Sequence, residues 1–329
     1  MGIKDYLKYI DKEEINKIEK YDYLYLDCNF LIHYFIYKCK NDLDLYIKTS
    51  YYFKYLFDNI QINKTVYIIF DGKPDINDPK LLTKINRSKN KIIDDSYDKQ
   101  NLSYKSELIG KYKNMIIDLL DKNIKSNKLN FKYEINDNNN GGEGDFKIFN
   151  EIKNQDQDKI CILSKDSDMI LLSYSLILKK NINIDIIINL RPIEIIDVNK
   201  LINDNKSYDY ILITMLLGND YLPKISNINY EALIKTYEKY IKNNNNIIID
   251  NKINYDNFII YITYLIFYKK NKVKFNITNL DLNRFEIYFN NLKWCLYNYG
   301  VLKNSYNYKQ FNNLNNVLNI YNFINFDKY

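Results

Sequence analysis

Histidine and tryptophan occur once each in the 329 residues, cysteine and proline four times each, and glycine eight times. The cysteines, Cys28, Cys39, Cys161 and Cys295, stand far apart with no CxxC pair. With a single histidine beside them they supply neither a zinc site nor a disulfide framework, so reduced thiols and a cytoplasmic location are expected. So little glycine and proline argues against a turn-dense β-sandwich. Long apolar runs are also missing: the longest, Phe258 to Tyr268, is closed by Lys269 and Lys270, well short of the roughly 20 residues that span a bilayer. The opening MGIKDYLKYIDKEE is too charged for a secretory leader, and Tyr6 stands where a myristoylation signal needs Ser or Thr. A soluble chain without a membrane partner is expected.

What the chain does have is core-forming material. Hydrophobic residues make up 46% and charged residues 27%, enough for one large or two ordinary globular domains. The balance of 47 basic against 41 acidic residues gives a net charge of +6, too mild to identify a polyanionic partner by itself. The 34 tyrosines, with abundant Ile, Lys and Asn, are first a sign of AT-rich coding, compatible with a virus, a plasmid or an AT-rich protist.

Short apolar runs at 23–26 (YLYL), 66–70 (VYIIF) and 160–163, with another within 182–188, have the composition of fully buried parallel strands, and each is followed by helix-like sequence. This alternation predicts an α/β fold: a Rossmann-like, mainly parallel sheet flanked by helices, with right-handed crossovers. Asn136 to Gly142 and Asn243 to Lys252 read as low-complexity loops. The second sets an expected division into residues 1–240 and a mostly helical part, 241–329.

The acids fall where such a fold does chemistry. Asp27 follows YLYL directly, Asp71 follows VYIIF directly, and Asp166 and Asp168 come just after CILS. Parallel strands end on one edge, so acids placed there share a crevice. Glu143 and Asp145 add to them from a glycine-framed loop, GGEGD, and Asp220 from LLGNDYLP. Any one of these aspartates is as well explained as the N-cap of a following helix; seven acids in such positions suggest more. Crowded carboxylates need a cation, and all-oxygen donors select Mg²⁺ or Mn²⁺. Two ions about 4 Å apart would suit phosphodiester hydrolysis.

These segments, in order, resemble the XRN 5′→3′ exoribonuclease family, a branch of the flap-endonuclease-like (PIN/FEN-like) nucleases. The similar motifs are MGIKDYLKYI, YLYLDCNFLIH, FDGKP, GGEGDFKIF, SKDSDMIL, LLGNDYLP and NNLKWCLYNYG, and they run from residue 1 to about 300. The resemblance implies that Asp27, Asp71, Glu143, Asp145, Asp166, Asp168 and Asp220 bind metal and carry catalysis. It implies that His33 and Trp294 stack on the terminal base, a contact that tolerates any sequence. It also implies a basic pocket for a 5′-monophosphate. NRSKN at 86–90 aligns Arg87 and Lys89 with the family's basic core, while Lys80, Lys84 and Lys91 join Arg87 at helical spacing on one face. Arg87 is the best bidentate donor among them.

The expected activity is therefore metal-dependent 5′→3′ hydrolysis of 5′-monophosphorylated single-stranded RNA to mononucleotides, by a monomer in the cytoplasm. Departures are visible. Phe30 replaces the family's glycine after LDxN, GGEGD shortens one acid by a methylene, and the segment between the GND and tryptophan motifs is reduced. Two alternatives stay open. One is a DNA-directed flap-type 5′ nuclease, although the sequence after GND, YLPKISNINYEALIKTYEKY, has no glycine for a phosphate-gripping hairpin. The other is an inactive scaffold that binds RNA ends, although none of the seven acids is lost.

Overall fold

The computed structural model describes residues 2–3, 5–73, 107–126, 128–137, 139–154, 158–203, 207–225, 228–240, 246–268 and 279–307. The chain falls into two compact units. The first, here the sheet unit, comprises Asp11–Lys165 and Lys180–Lys200; the second comprises Met1–Ile10, Asp166–Lys179 and Leu201–Tyr329.

The sheet unit is built on seven strands: β1 (Glu13–Glu14), β2 (Glu19–Asp27), β3 (Ile60–Ile69), β4 (Lys132–Asn136), β5 (Lys159–Leu163), β6 (Asn183–Leu190) and β7 (Ile193–Asp197). Their order across the sheet is β1-β7-β6-β5-β2-β3-β4. Strands β6, β5, β2, β3 and β4 pair in parallel, and β7 and β1 add an antiparallel edge. The expected mainly parallel α/β sheet is the one observed, and the four apolar runs lie in β2, β3, β5 and β6. Three strands carry no apolar run. Strand β4 (KYEIN) is exposed or half-buried along its length, because an edge position covers it less than a central one, so its sequence does not read as a core strand.

Helices α1 (Cys28–Ile36), α2 (Asp42–Asn59) and α3 (Glu107–Lys125) cover one face of this sheet. Leu24, Leu26, Val66, Ile68, Cys161 and Leu163 face Leu31, Phe35, Phe53, Leu56 and Ile116 in a single apolar cluster. At the start of α2, Asn41 accepts from Asp44 N at 2.9 Å, and acids occupy the first turn, the capping and charge pattern that starts a helix. Alternate residues face the opposite side, where the register pair Tyr25 and Tyr67 stacks at 4.7 Å and helix α4 (Gly144–Lys153) buries Ile148, Phe149 and Ile152.

The second unit is helical, with α5 (Asp168–Lys179), α7 (Asp209–Met215), α8 (Tyr230–Tyr240), α9 (Tyr255–Tyr268) and α10 (Asn279–Asn298); the short α6 (Val198–Asn203) runs out of the sheet unit into it. Its interior is rich in tyrosine. Tyr6 and Tyr210 share a hydroxyl hydrogen bond of 3.1 Å, Tyr210 bonds Tyr230, and Tyr174 stacks on Tyr210 at 4.9 Å. The segment read as a loop over 243–252 contains a hairpin instead: β8 (Ile248–Ile249) pairs with β9 (Lys252–Ile253). Asp250 and Asn251 turn it at φ of 52° and 60°. Two left-handed residues in sequence suit a two-residue hairpin, which low-complexity composition hides.

Candidate active site

In the sheet unit, parallel register places the acids. Leu26 pairs with both Ile68 and Leu163, and Asp27 pairs with Ile69. Asp71 comes two residues past Ile69, just beyond the strand end, and a Cβ on Gly144 would lie 3.1 Å from Asp71 Oδ1 and 3.9 Å from Ile69 Cγ2, so both face the same segment.

Each of the two carboxylates is held from elsewhere in the unit. Asp27 Oδ1 accepts from Phe30 N at 3.0 Å, capping α1, and Oδ2 accepts from the buried Ser164 hydroxyl at 3.0 Å. Asp71 Oδ1 accepts from Gly144 N at 2.7 Å, the first residue of α4, while its own amide donates to Asn29 Oδ1 at 3.2 Å. The amino terminus of α4 is therefore capped by an acid 73 residues earlier, a charge-favourable end for an anion. Glu143 is the N-cap residue of α4 and Asp145 lies in its first turn.

The loop between these points is tightly closed. Gly72 N donates to Gly142 O at 2.8 Å and Gly142 N to Lys73 O at 3.2 Å. A Cβ on Gly72 would stand 1.6 Å from Asn140 O, so the glycine of FDGKP is required by backbone contact. Lys147, buried, donates to Phe70 O at 2.8 Å and Asp137 O at 2.9 Å. Burial holds its ammonium below the usual lysine range, against the attraction of Asp71 and Asp137.

In the second unit, Asp166, Ser167 and Asp168 form the turn into α5. Asp168 N donates to Asp166 Oδ1 at 3.0 Å, and Ser167 Oγ donates to Ile3 O at 3.1 Å. Gly2, at φ +84°, lies so close that a Cβ there would be 2.0 Å from Asp166 Oδ1. Asp168 is 3% exposed. The buried Tyr299 phenol is pushed well above its ordinary range, first by burial and then by the Asp168 charge. Asp220 sits in a turn that Asn219 closes by accepting from Tyr221 N and Leu222 N, both at 2.9 Å. Tyr221 packs on Trp294 at 5.0 Å.

The sequence-selected residues thus divide. Asp27, Asp71, Glu143, Asp145 and His33 belong to the sheet unit, and Asp166, Asp168, Asp220 and Trp294 to the second. His33 is exposed on α1, its ring 6.5 Å from that of Tyr37. Lys80, Lys84, Arg87, Lys89 and Lys91 lie outside the described residues. Sequence reading passed over Asn29, Ser164, Lys147 and Gly2. The first three bear on an acid or its strand end through side chains remote in sequence, and each lies inside a singled-out motif as a polar residue two positions from an acid.

The donors are carboxylate oxygens, which suit a hard divalent cation. Among the described residues no three His, Cys, Asp or Glu side chains group closely enough to hold a metal ion. Mg²⁺ does not demand such a cage: it is commonly bound through one or two carboxylates, keeping waters and taking substrate phosphate oxygens. Gly2 packs so closely on the Asp166–Asp168 turn that a Cβ would collide with Asp166 and Ser167, which fixes the placement of that acid. Among the described residues no helix is long and apolar enough to cross a membrane.

Residues 73–187 match the family model described as the XRN 5′-3′ exonuclease N-terminus. No curated protein matches the chain. Among solved structures it is similar to the catalytic core of Rad2 in complex with DNA substrate, in two such complexes. One aligns at 14% identity with a TM-score of 0.42, over 90% of this chain and 78% of that one. The other also aligns at 14% identity, with a TM-score of 0.38, over 86% and 73%. The match over 73–187 begins at the lysine of FDGKP and takes in GGEGDFKIF and SKDSDMIL. Across that stretch, about a third of the chain, the sequence is similar to the N-terminal part of the XRN 5′-3′ exonucleases.

Proposed function

We propose that this 5′ nuclease is a divalent-metal-dependent exoribonuclease that removes mononucleotides from the 5′-monophosphorylated end of single-stranded RNA. The observation that carries the reading is the pair Asp27 and Asp71, at and just past the carboxyl ends of two adjacent parallel strands, each fixed by a hydrogen bond from a remote segment. A divalent ion bound to carboxylates supplies an activated water and stabilises the leaving oxygen of the phosphodiester.

The chain's own residues have separable tasks in this reading. Asp27 and Asp71 bind the cation from the sheet unit, with Glu143 and Asp145 at the start of α4. Asp166, Asp168 and Asp220 are the corresponding acids of the second unit. Ser164, Gly144, Asn29 and Lys147 orient the first pair and the strand end that bears it. No serine, cysteine or lysine nucleophile is needed. His33 and Trp294 are assigned to the terminal base, and Arg87 and Lys89, with Lys80, Lys84 and Lys91, to the terminal phosphate.

The test is a time course on 3′-labelled RNA bearing 5′-monophosphate, 5′-triphosphate or 5′-hydroxyl ends, with Mg²⁺, with Mn²⁺ and with EDTA. The expected result is metal-dependent loss of the monophosphate substrate, with mononucleotides and no internal cuts. Internal cuts, or a preference for flapped DNA, would transfer the protein to the structure-specific nucleases. RNA binding without cleavage in either metal would make it an end-binding scaffold.

A further inference from the structure

Away from the acids, the sheet unit has a cavity of about 280 Å³ between α1, α2 and the turn after β6. Its lining combines tyrosine rings with three cations, Lys38, Lys48 and Arg191, and contains no acid. Two of the cations, Lys38 and Arg191, lie over the rings. The Arg191 guanidinium is 4.6 Å from the Tyr51 ring centre and 5.0 Å from that of Tyr55, and it donates to the Tyr51 hydroxyl at 3.1 Å. Lys38 Nζ is 3.7 Å from the Tyr34 ring centre. Lys48 is held by Asp44 at 3.0 Å and bonds the Lys38 carbonyl. Among the described residues neither Lys38 nor Arg191 makes an ion pair, and Tyr51 is 58% exposed.

The place of this cavity in the fold matters as much as its chemistry. Strands β2, β5 and β6 are parallel, and the register pairs Leu26 with Leu163 and Leu163 with Ile187. Arg191, four residues past Ile187, therefore lies beyond the same sheet edge at which β2 delivers Asp27. A ligand here would need a flat apolar part to continue the ring and guanidinium stack and an anionic part for Lys38 and Arg191. A nucleotide has both.

We propose that the cavity formed by Tyr34, Tyr51, Tyr55, Lys38 and Arg191 is a second contact for the substrate strand, taking one base and its phosphate of a single-stranded nucleic acid. This rests on the nuclease reading above, which puts such a strand at that edge. The stack supplies affinity without reading sequence, as suits a strand that must move. An acidic peptide laid along the exposed Leu43 and Ile47 of α2 is the other class this face could take, but it gives no reason for cations placed over rings.

The experiment uses the full chain in EDTA, so that nothing is cleaved, with a 5′-hydroxyl oligouridylate containing 4-thiouridine. Photo-crosslinks are expected in the peptide carrying Tyr51 or the one carrying Arg191. Tyr51→Ala and Arg191→Ala should each raise Kd by about 10-fold. Tyr51→Phe, which keeps the ring, should bind like the wild type, separating stacking from loss of fold. Arg191→Ala should also flatten the dependence of log Kd on log salt by about 0.7, one phosphate contact on a single strand. Crosslinks elsewhere, with Kd unmoved in both alanine variants, would overturn the subsite and leave the nuclease reading standing. Metal-dependent RNA cleavage absent from the wild type would instead remove the nuclease reading, and absent RNA binding would remove both.

Discussion

The acids of the two units are held by different means. In the sheet unit, Asp27 and Asp71 are fixed by partners 137 and 73 residues away, Ser164 and Gly144. In the second unit, Asp166 is bonded to Asp168 N two residues on, and the Asp220 turn is closed by its neighbour Asn219. The first geometry exists only when the sheet is assembled; the second is mostly written into a local turn. A local perturbation should therefore be felt at a distance in the sheet unit and stay at home in the second.

The largest expected effect tests whether both sets of acids serve one reaction. Asp71→Asn and Asp166→Asn, one from each unit, should each lower turnover on 5′-monophosphorylated RNA by about 10³-fold or more, with thermal unfolding nearly unchanged. A wild-type rate in either variant would take that unit's acids out of the chemistry. Asp71→Asn should also remove the protection against unfolding that Mn²⁺ gives the wild type.

Next come the supports. Lys147→Met leaves the carbonyls of Phe70 and Asp137 without their buried ammonium, and a loss of about 2–3 kcal/mol is expected in urea unfolding, together with reduced turnover because the strand end carrying Asp71 is freed. In the second unit, Gly218→Ala meets Lys224 N at 2.6 Å at a φ of +83°. It should cost about 1–3 kcal/mol and disturb only the GND turn. Equal effects of the two variants on metal affinity would break the contrast between remote and local support.

Gly144→Ala sharpens the comparison without large damage. Its Cβ would stand 3.1 Å from Asp71 Oδ1, so the carboxylate must give by a few tenths of an ångström. A turnover loss of about 10-fold with little change in unfolding is the expected outcome of a steady-state assay.

The smallest effect concerns two buried acids that do no chemistry in this reading. In the sheet unit, burial raises the Asp185 carboxyl to about 6 against the Tyr21 hydrogen bond at 2.9 Å, which favours its charged form. The folded state then holds this proton more tightly than the unfolded chain, whose ordinary value is 3.8. Its contribution therefore favours folding at acid pH and is lost as pH rises from about 4 to about 6. The difference in unfolding free energy between wild type and Asp185→Asn should show that slope and flatten above pH 6. In the second unit, Asp209 is also raised by burial, but it accepts from Tyr237 at 2.9 Å, Ile247 N at 2.9 Å and Ile248 N at 2.6 Å. Asp209→Asn has one carbonyl oxygen for these donors and should destabilise by about 2 kcal/mol across the pH range.

Much of the sheet could be read directly. YLYL, VYIIF and the runs in β5 and β6 are buried on both faces by helices, and unbroken apolar composition records that. The edge strands β1 and β4, and β7 beside β1, leave no such record, since a strand partly in solvent needs no apolar run. At the site, the acids stood out because each follows a strand or a glycine turn. Ser164 and Lys147 did not, since their importance lies in what they touch, and Gly2 did not, since its role is a close backbone approach to Asp166 that a side chain would block.

By itself the sequence determined the strand cores and the acids at strand ends, because these follow from residue type and local period. Only the tertiary structure decided that Asp71 caps a helix 73 residues later, that Met1–Ile10 groups with Asp166–Lys179 and the later chain, and that Arg191 lies over Tyr51 and Tyr55. Hydrogen bonds and ring contacts act over a few ångströms in space and are indifferent to separation along the chain, so no local pattern encodes them.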